Sequence, residues 1–232
     1  MSSTDQAQLQ NPLQPQTPSF AMLRTLGGIA MLAGFLVVMV FQWTKPIIEE
    51  NKRIAIEKAI FKVVPGAASR KNFVLSAAGL FPAETPDAQG ETIYAAYDAN
   101  GELQGVALEA AATGYQDVIR ILYGYSPACQ CVTGIKVLKM AETPGLGDKI
   151  AFDPAFLENF VALDGKLNND KSGLENNIVA VKHGNKSQPW QVDSISGATI
   201  SSKAIARMIN DSGQRMFPLI AKHLSEMQGG RE

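Results

Sequence analysis

The sequence predicts an α+β protein: a single N-terminal transmembrane helix followed by one mixed α+β domain. Two observations support this. Residues 25–44, between Arg24 and Lys45, carry no charge. Beyond residue 90, several short segments typical of β-strands are separated by turns, and the chain ends in a pattern of helical period. Strands interleaved with a few helices indicate an α+β domain with antiparallel pairing.

Composition narrows the class of protein. The 232 residues include 21 Lys+Arg and 22 Asp+Glu, a formal net charge of -1, so no strong field attracts nucleic acid. An apolar content of 46% is enough to bury a core. With only two cysteines and two histidines, a disulfide framework is excluded and no metal site is expected.

The uncharged stretch predicts a transmembrane helix over residues 21–44, after a polar tail over 1–20. As a helix rising ~1.5 Å per residue, twenty residues reach ~30 Å, the thickness of a hydrocarbon core. Trp43 suits the membrane interface, and Lys45-Pro46 supply a charge and a helix interruption. The alternatives are a cleaved signal peptide and a buried core helix. The start is not basic and no A-x-A follows Phe41, and a core helix would rarely stay free of charge on all faces for this length.

Residues 45–74 are predicted to be a juxtamembrane amphipathic helix and linker. Apolar residues recur among charges up to about Val64, and Pro65-Gly66 should end the helix. The domain is then expected over 75–227, with a tail over 228–232. Strands are predicted over 91–98, 102–112, 115–126, 132–140 and 178–181, with a hairpin turn at Asn100-Gly101, a short helix over 154–163 and a long helix from Ile200.

A turn rich in hydroxyl groups and small residues, DSISGATISS over 193–202, runs into this last helix. Free backbone N–H groups and the helix dipole stabilise an anion at such a terminus, above all a phosphate. Gly197 and Ala198 would let a ligand approach the backbone and would leave the Thr199 hydroxyl accessible. Taken alone, the turn is more typical of an ordinary N-cap in which Ser or Thr holds a free N–H.

A second candidate is the loop ETPGLGD over 142–148. One proline and two glycines make a tight loop whose backbone can come close to a flat ligand, with Leu146 as an apolar contact and Thr143 as a polar one. Taken alone, this loop is a plain surface turn.

Together, E-T-P-G-L-G and D-x-x-S-G-A-T-x-S-S, about fifty residues apart after one anchor, resemble the FMN-binding domain of the G subunit of the Rnf electron-transport complex. A related family is the C subunit of the sodium-pumping NADH:quinone reductase. The resemblance implies FMN joined to Thr199 by a phosphodiester, made by a flavin transferase that recognises the surrounding motif. The implied cofactor-binding residues are Thr199, Asp193, Ser196, Gly197 and Ala198, with Thr143, Gly145 and Leu146 near the isoalloxazine.

The resemblance also implies a role. Proteins of this kind relay electrons between ferredoxin and NAD inside an ion-translocating complex of the inner membrane, with other Rnf subunits as partners. No catalytic residue or metal need belong to them. The resemblance places the flavin domain on the periplasmic side, although the Lys/Arg count near the helix weakly favours the inside. The alternatives are a component of the quinone reductase and a non-redox anchored binding or assembly module.

Two pairs of reactive residues fall outside these motifs. Cys129 and Cys131 are separated by one residue, and a disulfide across so short a gap is strained and uncommon. We therefore expect a plain structural role for them, with a redox or intersubunit role as the alternative. His183 and His223 have no partner pattern and are expected at the surface or in polar networks.

Overall fold

The computed structural model describes residues 19–85 and 89–229. Most of the predicted tails, 1–20 and 228–232, therefore lies outside the described residues. The chain divides into two compact units, Met1–Asn51 and Lys52–Glu232.

A 45-residue helix, α1, runs from Ser19 to Val63. Among the described residues it is the one helix long and apolar enough to cross a membrane, and its most apolar window is not buried inside the protein. The prediction that Lys45-Pro46 interrupts the helix is wrong, because Pro46 lies inside α1. Proline removes one backbone hydrogen bond, but α1 continues past it.

The end of α1 belongs to the second unit, where Ala59, Ile60 and Val63 are buried. The helix stops at Val63, as Pro65-Gly66 predicted. The folded unit reaches back to Lys52, earlier than the boundary predicted at residue 75. Two strands, β1 (Ser69–Ser76) and β2 (Gly79–Pro82), lie where the sequence predicted no element, because the charged residues of β1 hide its pairing with a distant strand.

The strands that follow confirm the predicted antiparallel arrangement, except for the last two, which pair in parallel. They are β3 (Glu91–Tyr97), β4 (Leu103–Thr113), β5 (Val118–Ser126), β6 (Cys131–Lys139), β7 (Leu163–Asp164), β8 (Val179–Val181) and β9 (Gln191–Asp193). Strands β3 to β7 join β1 and β2 in one seven-stranded sheet, in the order β2-β1-β3-β4-β5-β6-β7. Strands β8 and β9 form a separate parallel pair. The turn predicted at Asn100-Gly101 is present, with Gly101 at a φ of 80°.

The helix predicted over 154–163 is shorter than expected. This helix, α2, spans Pro154–Glu158, with the Asp153 side chain accepting a hydrogen bond from the Phe156 N–H. Leu163 is instead paired with Val132 as part of β7. The apolar spacing suits either structure, and pairing with β6 decides the end of the helix.

Helices cover both faces of the sheet. Successive residues of β3 point to opposite faces, so Ile93 and Ala95 join one buried cluster and Tyr94 joins another. The long helix α3 (Thr199–Lys222) packs on the first face, and the end of α1 on the second. A last short helix, α4, spans Leu224–Gln228.

Aromatic stacking fixes α3 on the sheet. Tyr125 of β5 stacks on Phe217 with ring centroids 3.7 Å apart, and burial raises the pKa of Tyr125 to about 12. Tyr123 donates a hydrogen bond to Ser212, at 2.8 Å. These contacts hold the position of the whole helix, and hence of its amino terminus.

Cys129 and Cys131 form a disulfide, contrary to the expectation from their spacing. The left-handed conformation of Gln130, with a φ of 51°, turns the chain tightly enough to bring the two sulfurs together. The histidines behave as predicted. His183 is largely exposed and lies 3.3 Å from Asp193, and the buried His223 lies 2.8 Å from Glu226.

Candidate functional site

The two sequence motifs meet in space and enclose a cavity. A Cβ atom added to Gly197 would lie 3.3 Å from Cδ2 of Leu146, so the turn and the loop are in contact. The cavity has a volume of about 490 Å³, within the range of small-molecule sites. It is lined by Tyr115, Glu142, Thr143, Leu146, Gly147, Gly197, Ala198, Thr199, Ile200 and Ser201.

One wall is the 142–148 loop, which is held by its own backbone. The carbonyl of Thr143 accepts hydrogen bonds from the N–H groups of Leu146, at 3.2 Å, and Asp148, at 3.4 Å. Gly145 has a φ of 77°, a backbone conformation that residues with a side chain rarely adopt. The chain then enters a 3₁₀ helix, Gly147–Ala151. The tight loop places Leu146 in the lining of the cavity, and its predicted contact with a ligand stays a prediction.

Glu142 joins three segments at the floor of the cavity. Its carboxyl group is buried and accepts hydrogen bonds from the N–H of Tyr115, at 3.0 Å, and from the Ser201 hydroxyl, at 2.5 Å. The Gln116 N–H is a further donor, at 3.3 Å. One side chain therefore ties the turn after β4 and the loop to the first turn of α3.

The opposite wall is the amino terminus of α3, which no side chain within the described part of the chain caps. Ala198 is the N-cap residue, and Thr199 is the first helical residue. The first N–H groups of a helix have no partner inside the helix, so here they are free for an anion. An ordinary N-cap, in which Ser or Thr bonds a free N–H, is therefore not what the turn forms.

The hydroxyl groups around this terminus differ in their availability. Thr199 is exposed, and no hydrogen bond to its hydroxyl occurs within residues 19–85 and 89–229. Ser201 is buried and donates to Glu142. Ser202 is buried, donates to the Ala198 carbonyl at 2.9 Å and accepts from the Ile195 N–H at 3.1 Å. Thr199 therefore carries the most accessible hydroxyl in the first turn.

The rim of the cavity is apolar and exposed. Tyr115 is 66% exposed, Leu146 47% and Ile200 53%. Exposed apolar groups grouped around a cavity are typical of a site that binds a ligand. The cavity therefore combines an apolar rim with an anion-binding helix terminus, which suits a flat aromatic ligand carrying a phosphate.

The structure brings together most, but not all, of the predicted site residues. Thr143, Leu146, Gly197, Ala198 and Thr199 line the cavity. Gly145 shapes the loop without lining the cavity.

Asp193 and Ser196 line a separate cavity of about 220 Å³ beside it. Asp193 accepts a hydrogen bond from the Gly184 N–H at 2.8 Å. These two residues therefore shape the turn from outside the main cavity.

Tyr115 lines the cavity but lies outside both motifs, and Ile200, Ser201 and Glu142 were assigned no role beyond their places in the motifs. The partners of Glu142 lie 26 to 59 residues away along the chain. The spacing of residues within a short segment of sequence does not indicate contacts over such distances. The one available indication was the presence of Glu142 at the start of the motif.

Comparison with known proteins identifies the class. Residues 114–213, which include both motifs, match the model of the FMN-binding domain. The fold resembles the crystal structure of Shewanella oneidensis NqrC, with a TM-score of 0.52 and 19% identity over 74% of this chain and 87% of that one. The family model thus identifies an FMN-binding domain, which follows the N-terminal helix in the sequence.

Relatives identify the family. The G subunit of the ion-translocating oxidoreductase complex of Aliivibrio fischeri strain ES114 is 32% identical over 204 residues, 86% of this chain and 89% of that protein. The chain belongs to this G-subunit family. The protein of the same name from Methanosarcina acetivorans is 36% identical over 119 residues, and the match spans 55% of its length. The G subunit of the Na(+)-translocating ferredoxin:NAD(+) oxidoreductase complex of Acetobacterium woodii is 33% identical over 118 residues, half of its length.

Proposed function

We propose that the chain holds FMN covalently, through a phosphodiester between the flavin phosphate and the Thr199 hydroxyl oxygen. The observation that carries the proposal is the contrast within one helical turn. The Thr199 hydroxyl is exposed without a protein partner among the described residues, whereas Ser201 and Ser202 are buried and bonded. A flavin transferase could reach Thr199 without disturbing the packing of α3.

The helix terminus suits the phosphate. Ala198 is the N-cap, and among the described residues no side chain bonds to the first N–H groups, so these donors and the positive end of the dipole can stabilise the phosphodiester charge. Tyr115, Leu146 and Ile200 provide apolar surface for the isoalloxazine. The flavin supplies the ability to take up and release electrons, and the protein holds and orients it.

The role that follows is that of an electron carrier in an ion-translocating membrane complex. The relative from Acetobacterium woodii belongs to a complex named for ferredoxin and NAD(+), and this supports the same pair of reactants here. Residues 21–44 within α1 would anchor the chain in the inner membrane, with the flavin domain in the periplasm and other subunits of the complex as partners. Ser196 and Gly197 are exposed, which supports recognition of the turn by the transferase.

The second candidate is the C subunit of a sodium-pumping quinone reductase, because NqrC has a similar fold. A shared fold does not separate the two complexes. Dependence of the purified host complex on ferredoxin or on quinone separates them.

Intact mass spectrometry tests the flavin proposal directly. We expect the full chain, co-expressed with a flavin transferase, to gain the mass of FMN less one water and to fluoresce on a denaturing gel. Expression without the transferase is the matched control and should give the mass of the polypeptide alone. An unmodified mass despite an active transferase would contradict the proposal.

Lys203 is predicted to influence the flavin through its charge. It lies one turn after Thr199, and helical side chains generally lean towards the helix amino terminus. No ion pair to it occurs within the described residues. Reduction adds negative charge to a flavin, so Lys203→Gln should lower the midpoint potential. We expect a shift of about 10–20 mV, the equivalent of a solvent-exposed charge pair, that shrinks as salt is added.

Arg207→Gln is the matched control for this measurement. Arg207 lies one turn further along α3 and also has no ion pair among the described residues, so its removal should shift the potential less. Equal shifts in the two variants would show that Lys203 has no special position.

A further inference from the structure

We propose that the Cys129–Cys131 disulfide is a second redox site of the domain, one that exchanges with an external protein dithiol. The disulfide lies in the turn between β5 and β6. Among the described residues that line the flavin cavity, none comes from this turn. The proposal is therefore independent of flavin attachment.

A structural role does not account for this bond. A disulfide stabilises a protein mainly by closing a long loop in the unfolded chain, and a separation of two residues closes almost the shortest loop there is. The hairpin is in any case closed by backbone pairing, because Ser126 is the register partner of Cys131. The bond therefore adds little to the stability of the fold.

The position of the bond favours exchange. Cys129 is exposed and Cys131 is partly exposed, so a thiolate can approach without unfolding of the domain. The intervening Gln130 has a φ of 51°, which non-glycine residues rarely adopt. Opening the bond removes the covalent constraint that holds Gln130 in this conformation.

Gln130 connects the disulfide to the segment that follows β7. Its carbonyl accepts a hydrogen bond from the Gly165 N–H at 3.0 Å, and its side chain accepts one from the Leu167 N–H at 3.1 Å. A change in the backbone of Gln130 alters both contacts. Reduction should therefore loosen residues 165–167 and leave the sheet intact.

The chemistry balances as a dithiol–disulfide exchange. A thiolate of the partner attacks Sγ of Cys129, the Sγ–Sγ bond breaks, and Cys131 leaves with the electron pair as a thiolate. The second partner thiol attacks the mixed disulfide and releases Cys129. The chain gains two electrons and two protons as two thiols, and the partner becomes a disulfide.

Thiol labelling of the full-length protein in detergent tests the proposal, because these are the only two cysteines in the chain. Without reductant, we expect no maleimide adduct on the native or the unfolded protein. After dithiothreitol, the native protein should take two adducts, and in a glutathione redox buffer both forms should be populated. The Cys129→Ser, Cys131→Ser double variant is the unlabelled control.

Thermal unfolding and amide exchange separate a redox role from a structural one. The oxidised and reduced forms should unfold at nearly the same temperature, while amide exchange of residues 165–167 increases on reduction. The proposal would be overturned if the reduced cysteines could be labelled only after the protein is unfolded, or if glutathione could not reduce the disulfide at all. It would also be overturned if reduction lowered the unfolding temperature by a large amount. The same holds if an oxidised glutathione buffer fails to convert the thiols to the disulfide.

Discussion

The Thr199→Ala variant is expected to carry no covalent flavin when it is co-expressed with a flavin transferase. The change removes the one hydroxyl in the first turn of α3 that is exposed and without a protein partner among the described residues. Fold and stability should be unchanged, because an exposed side chain without contacts contributes little. Intact mass and in-gel fluorescence should both fall to the background of the sample without transferase.

Three control variants test whether the flavin is attached to the Thr199 hydroxyl oxygen. Ser201→Ala and Ser202→Ala should keep the flavin, because their hydroxyls are already bonded to Glu142 and to the backbone. Thr199→Ser retains a hydroxyl at the same place and should be modified at least in part. Loss of the adduct in a folded Ser201 or Ser202 variant, with Thr199→Ala still modified, would show that another hydroxyl is used.

The Glu142→Ala variant is expected to lose both stability and the shape of the flavin cavity. The change leaves the Ser201 hydroxyl and the N–H groups of Tyr115 and Gln116 without their acceptor. A buried polar group without a partner costs about 1–3 kcal/mol, so we expect a loss of about 2–3 kcal/mol in the free energy of unfolding. For a domain of this size the unfolding temperature should fall by about 5–10 °C.

Glu142→Gln is the matched control. The amide keeps the volume, keeps an oxygen that accepts from the Tyr115 N–H, and can donate to the Ser201 oxygen. We expect a loss below about 1 kcal/mol, since the hydrogen bonds are replaced and not deleted. If Glu142→Ala unfolds like the unaltered protein, the carboxyl group does not join the walls of the cavity.

Much of the fold was predictable because its signals are local. Strand-type residues bounded by turn signals predicted β3 to β6, and helical periodicity predicted α3 to within one residue of its start. The exceptions depend on distant partners. β1 and β7 are strands because β3 and β6 pair with them, and α2 ends early for the same reason.

The sequence by itself determined the chemical types in this protein: an uncharged helix long enough for a membrane, a Pro/Gly loop and a hydroxyl-rich turn before a helix. Local propensities and side-chain chemistry are sufficient for that. Only the tertiary structure decided which hydroxyl is accessible, that Asp193 and Ser196 line a neighbouring cavity, and that Glu142 joins three segments. Burial and long-range hydrogen bonds arise from packing α3 against the sheet, and no local pattern records them.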